Sequence, residues 1–110
     1  MQRFGRVLKL KAGAEKEYER QHAAVWPEVL AAIRKSGIRN YSIYRYGNLV
    51  FSFFELPDGL SIAEAGRVIA STKKCAEWEE FMHKLQAPLP ESQPGSGSWW
   101  VDMPEIFHAD

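Results

Sequence analysis

Tyr18, His22 and Trp26 stand four residues apart in a stretch with helical patterning, with Pro27 and Glu28 directly behind. At about 3.6 residues per turn, this spacing stacks a phenol, an imidazole and an indole along one side of a helix. A small polar ligand there would meet a proton donor and a flat apolar wall together, a combination that suits carbohydrate chemistry. An imidazole with an ordinary pKa of about 6.5 both donates and accepts protons near neutrality, which makes His22 the first candidate for acid/base work. A solvated or capping histidine is the plainer alternative, and Tyr18 could bond a hydroxyl or simply pack.

Trp26 and Trp78 each offer a flat face to the C–H-rich side or C6 methyl of a deoxysugar, or fill a core, since both fall on apolar helical stripes. Tyr41, Tyr44 and Tyr46 share one predicted strand, where alternation turns Tyr41 away from the other two. Cys75 has no activating base beside it in sequence, so a small buried thiol is expected rather than a nucleophile. Glu77, Glu79 and Glu80 spread over more than one helix face and read mainly as solvated surface.

The elements that must hold these groups are legible in the patterning. Leu8 and Leu10 alternate with Lys9 and Lys11, predicting a strand over residues 4–11. Val25, Val29, Leu30 and Ile33 recur at helical steps within residues 14–36, a helix stopped by Gly37 and kinked or split by Pro27. Residues 40–46 and 49–55 are aromatic and β-branched, joined by Gly47-Asn48 in a tight hairpin turn.

Pro57-Asp58-Gly59 is a turn, and Ser61 with Glu64 predicts a capped helix over residues 62–69. Ser71 or Thr72 then caps a helix whose apolar face carries Cys75, Trp78, Phe81, Met82 and Leu85. Residues 88–98 hold three prolines, two glycines and three serines, predicting an ordered loop or lid, and residues 99–107 a last strand interrupted by Pro104.

The order strand, helix, strand, strand, helices, strand predicts an α+β protein of the split βαβ, ferredoxin-like kind, in one domain spanning residues 1–110. Apolar and aromatic residues lie at both strand parities, so the second sheet face needs cover. A homodimer joined sheet to sheet in a barrel-like core supplies it.

Fourteen basic and fourteen acidic residues cancel, leaving no electrostatic footprint for nucleic acid or an anionic membrane. The single cysteine excludes an intrachain disulfide. With neither a signal-peptide core nor an apolar stretch of about 18 residues, a cytoplasmic location is expected. His22, His83, His108 and Cys75 show no metal-ligand spacing, and no glycine-rich phosphate loop follows a strand, so neither metal nor nucleotide cofactor is expected.

The run Tyr18-Glu19-Arg20-Gln21-His22 with Val25-Trp26-Pro27-Glu28, then Asn40-Tyr41-Ser42-Ile43-Tyr44, Cys75-Ala76-Glu77-Trp78 with Phe81-Met82, and Glu105-Ile106-Phe107 resembles the L-rhamnose mutarotase family across nearly the whole chain. The resemblance implies a dimeric α/β-barrel of ferredoxin-like protomers that interconverts the α and β anomers of a 6-deoxy-L-hexose without a cofactor. It further implies that Tyr18, His22, Tyr41 and Trp78 line the sugar site, with His22 as acid/base. Where the rhamnose enzymes typically carry two adjacent tryptophans, this chain has Trp78-Glu79, so a carboxylate replaces one wall. With Gln86-Ala87-Pro88-Leu89-Pro90, the Pro94-Gly95 turn and the following tryptophans, this looks more like a branch associated with L-fucose. The two sugars differ in hydroxyl configuration at C2 and C4, a contrast that Glu79 could read.

Two rivals share the expected cavity. A cofactor-independent monooxygenase on the same barrel would consume oxygen with a phenolic substrate, and a non-catalytic sugar-binding dimer would bind without accelerating anomer exchange.

Overall fold

The computed structural model describes residues 1–92 and 98–110. Its elements run β1 (Gln2–Leu10), α1 (Glu15–His22), α2 (Pro27–Ser36), β2 (Arg39–Tyr46), β3 (Leu49–Leu56), α3 (Ile62–Ala70), α4 (Lys73–Leu85), β4 (Gln86–Ala87) and β5 (Val101–Met103). Every pairing is antiparallel: β1 is flanked by β3 on one side and by β4 and β5 on the other, and β2 forms the far edge through β3. The order β2-β3-β1-β4, backed by helices, is the ferredoxin-like α+β arrangement expected from the sequence.

Strand alternation assigns the two faces. Leu8 and Leu10 of β1 and Val50, Phe54 and Leu56 of β3 are buried, and the register sets Leu8 against Val50 and Phe4 against Phe54. The opposite face leaves Tyr44, Tyr46, Phe53 and Met103 exposed. Two core clusters result, one around Leu8, Tyr18, Val50, Trp78 and Met82 and one around Phe54, Leu56 and Ala65. Ile33 and Ile69 pack against both.

The helix expected over residues 14–36 is two helices. Pro27 has no N–H to bond backwards, and its ring would collide with the carbonyl four residues earlier. The chain therefore leaves α1 after His22, Trp26 takes extended backbone (φ −58°, ψ 137°), and Pro27 opens α2 in its first turn. Gly37 closes α2 at φ +91°, where an added Cβ would come within 2.8 Å of the Leu60 side chain. Ser61 caps α3, and Thr72 rather than Ser71 caps α4, its hydroxyl accepting from the Cys75 N–H at 3.2 Å.

The last strand is shorter than its sequence suggests. Pro104 cannot donate to a ladder, so pairing stops at Met103, and Trp99 and Trp100 turn onto the main core instead. Arg6 of β1 holds Asp102 of β5 at 2.8 Å. The two-residue β4 was not foreseen: α4 runs directly into a pairing with Lys9 and Leu10. The expected Pro94-Gly95 turn lies outside the described residues.

β2 carries an irregularity just before Tyr41. Arg39 pairs with Glu55 but Ser42 with Phe53, so Asn40 and Tyr41 together oppose Phe54. Such a bulge bends the strand and re-aims a side chain. Asn40 takes up the strain at φ +52°, and Tyr41 falls against Phe54 on the helix-facing side, with ring centroids 5.4 Å apart.

Candidate active site

The end of α1, the start of α2, the middle of β2 and one face of α4 enclose a cavity of about 380 Å³ lined by His22, Val25, Val29, Leu30, Ile33, Tyr41, Ile43, Ile69, Trp78 and Glu79. A second hollow of about 340 Å³ adjoins it, lined by Tyr18, Glu19, His22, Ala23, Ile43, Tyr44, Arg45 and Val50. His22 and Ile43 belong to both walls. His22 therefore stands between the two hollows.

His22 is the last residue of α1 and is half-buried. Its Nδ1 lies 2.9 Å from the carbonyl oxygen of Tyr18. A carbonyl only accepts, so Nδ1 carries the proton and Nε2 keeps its lone pair. Burial lowers the imidazole's pKa below its ordinary 6.5, and the bond to Tyr18 opposes that shift in part. The neutral, basic form is the one this setting favours.

Trp78 joins the aromatic groups. Its indole meets His22 edge-on at 5.4 Å and Trp26 edge-on at 5.2 Å, while Tyr18 and His22 stack at 4.2 Å. Only 5% exposed, Trp78 is a core residue that also lines the cavity. Trp26 does not continue the α1 face, because the helix has ended. It stands behind Trp78 with the Lys74 ammonium 5.7 Å from its ring centre, and is not among the residues lining the cleft.

Tyr18 is buried with 4% exposure. Burial raises its pKa, with the charges of Tyr41 and Glu79 adding to the effect. Tyr41 lines the cavity and keeps 38% of its surface exposed, its hydroxyl end set among protein atoms. Burial, then the charge of Glu79, pushes its hydroxyl up to about 12, against a lowering influence from Arg6. Both phenols stay protonated donors at neutral pH.

Glu79 is exposed, as its reading as solvated surface expects, and in addition faces the cavity. Loss of solvation raises its pKa above the ordinary carboxylate range. Glu77, two residues earlier, pairs with Lys74 at 3.5 Å. Cys75 is buried, its thiol donating at 3.9 Å to the Glu28 carbonyl. Among the described residues no cluster of three or more His, Cys, Asp and Glu could hold a metal, and no helix is long and apolar enough to cross a membrane.

Val25, Val29, Leu30, Ile33, Ile43 and Ile69 were not legible as wall residues. Their types and spacing are those of a core stripe, and only the width of the α2 stripe was a signal: Leu30 beside Val29 reaches past the core and stays 41% exposed.

The sequence profile described as L-rhamnose mutarotase matches residues 3–109. The L-rhamnose mutarotase of Lactiplantibacillus plantarum is 34% identical over 112 residues, covering 100% of each chain. That of Bacteroides thetaiotaomicron is 34% identical over 113 residues with the same coverage. Among solved structures, an L-rhamnose mutarotase from Formosa agariphila superimposes with a TM-score of 0.74 at 21% identity, and the tetracenomycin F2 cyclase of Streptomyces glaucescens with 0.58 at 14%, each covering 100% of both chains. At these identities the two structures speak to the fold alone.

Proposed function

The chain belongs to the L-rhamnose mutarotase family of carbohydrate isomerases, and from that premise we propose that it interconverts the α and β anomers of a 6-deoxy-L-hexose by proton transfer through His22. The observation carrying the mechanism is the imidazole's arrangement: Nδ1 engaged by the Tyr18 carbonyl, Nε2 without a hydrogen bond among the described residues, and the ring in a cavity wall shared with Trp78, Tyr41 and Glu79.

Ring opening moves protons and breaks one C–O bond. Nε2 takes the proton of the anomeric hydroxyl, O1 becomes the aldehyde oxygen, and the C1–O5 bond breaks. O5 gains a proton from a donor on the wall, Tyr41 or a water it orients. Rotation about C1–C2 turns the other aldehyde face to O5, which attacks C1 and returns its proton while the imidazolium reprotonates O1. Positioned acid/base catalysis typically contributes about 10²–10⁴-fold, enough for a reaction that already proceeds slowly unaided. Trp78 orients the sugar by stacking, backed by Trp26, and Tyr18 holds the imidazole.

L-fucose is the preferred substrate in this reading. Glu79 is an acceptor-only group where the resemblance places an indole, and it suits a hydroxyl whose configuration distinguishes L-fucose from L-rhamnose. Saturation-transfer NMR between the anomer signals of both sugars tests the reading. The expected result is faster exchange with catalytic amounts of protein, L-fucose ahead; exchange at the buffer rate with both sugars ends it.

The working unit is a homodimer. Tyr44 at 66%, Tyr46 at 81%, Phe53 at 37% and Met103 at 38% exposure make the outer sheet face too apolar to stand alone in water. Light scattering after size exclusion should return twice the 12.6 kDa of one chain; a stable monomer at micromolar concentration would refute it.

A further inference from the structure

The cavity has two chemically distinct sides. His22 of α1, Tyr41 of β2 and Glu79 of α4 supply its strongest polar groups, whereas the wall from α2 and α3 is built from Val29, Leu30, Ile33 and Ile69. Val29 and Ile33 are one turn apart on α2, Leu30 lies three residues from Ile33 on the same flank, and Ile69 comes from the helix packed beside it. Aliphatic side chains offer a hydroxyl no hydrogen-bond partner. Ile33 and Ile69 also pack against both core clusters, which holds this wall in place.

We propose that Val29, Leu30, Ile33 and Ile69 form the subsite for the C6 methyl and select 6-deoxy sugars over their 6-hydroxy counterparts. The assignment rests on the mutarotase reading and adds its specificity residues. C6 is carried on C5, one atom beyond the ring oxygen from C1. A sugar that presents C1 and O5 to His22, its ring against Trp78, therefore turns C6 toward the neighbouring wall, and the chain passes from His22 directly into α2. A methyl there is buried among aliphatic carbons. A hydroxymethyl brings an oxygen that loses water and gains no partner.

Apolar pockets discriminate modestly: a wall of this kind separates substrates differing in one small group by about 10- to 200-fold. L-Fucose with L-galactose and L-rhamnose with L-mannose are pairs that differ only at C6, so the comparison stands whichever deoxysugar is preferred. Anomer exchange by NMR should give kcat/KM about 10²-fold higher for the deoxy member of the preferred pair. Leu30→Asn, at a site already 41% exposed, and Ile69→Thr should each move the ratio toward unity, slowing the deoxy sugar and sparing its counterpart. Equal rates within each pair in the wild type, or variants that slow both members alike, overturn the methyl subsite and leave the mutarotase reading intact. Exchange with none of the four sugars overturns both.

Discussion

The imidazole of His22 stacks on the phenol of Tyr18 with ring centroids 4.2 Å apart and 28° between the planes, while its Nδ1 bonds the carbonyl of that same residue at 2.9 Å. One neighbour thus fixes the tilt of the ring and the position of its proton. A histidine at the frayed end of a helix would otherwise sample several rotamers. Here it is delivered to the cleft as a base with one nitrogen to use.

The pH dependence follows from the direction of the His22 shift. Because burial lowers its pKa below 6.5, the neutral imidazole survives to lower pH than an exposed histidine would allow. The acid limb of kcat/KM for anomer exchange should therefore inflect below 6.5. His22→Ala should lower the exchange rate by about 10²–10⁴-fold with the fold retained. Stability carries the same sign: between the lowered folded pKa and the ordinary value the unfolded chain binds more protons, so stability falls as pH drops through that window and levels off below it. A His22→Ala protein that keeps the wild-type rate removes the residue from the mechanism.

Ser52 is a point of unused stability. It faces Arg6 and Ile43 across the inner side of the sheet, is 4% exposed, and its Oγ is buried without a hydrogen-bond partner among the described residues. An unsatisfied buried hydroxyl costs about 1–3 kcal/mol in lost solvation. Ser52→Ala removes the oxygen and leaves a hole no larger than one atom, so urea unfolding should find the variant as stable as the parent or up to about 1–2 kcal/mol more stable. A loss exceeding about 1 kcal/mol would mean that the hydroxyl has a partner.

The sheet and its helices were readable because local signals agreed with the fold. Alternation set the faces of β1 and β3, Gly47-Asn48 set the hairpin, and Pro27 marked the break between α1 and α2. The cleft was readable only in its polar and aromatic members. Tyr41 faces the helices, away from Tyr44 and Tyr46, as strand alternation announces, whereas Glu79 looks the same in sequence as its neighbours Glu77 and Glu80 and only the placement of α4 puts it in the wall. The aliphatic wall was silent for a different reason: a residue that borders a cavity and one that fills a core obey the same hydrophobic period.

Glu79 offers the sharpest separation of substrate choice from catalysis. As a carboxylate it accepts hydrogen bonds from sugar hydroxyls, and no hydrogen bond or ion pair to it is found among the described residues, so that capacity is left for a ligand. Replacing it with the indole that the family resemblance places there removes the acceptor and supplies a flat wall. Glu79→Trp should cost L-fucose one charge-assisted hydrogen bond, worth about 1.5–3 kcal/mol or about 10- to 100-fold in kcat/KM. Exchange of L-rhamnose should hold or rise. The size-conserving change Glu79→Gln removes the negative charge that adds to the effect of burial on the Tyr41 pKa, so ultraviolet titration of that variant should show the phenol ionising at lower pH than in the parent. A fucose-to-rhamnose ratio unmoved by Glu79→Trp, with the Tyr41 shift present in Glu79→Gln, would show that the carboxylate reaches the phenol but not the sugar.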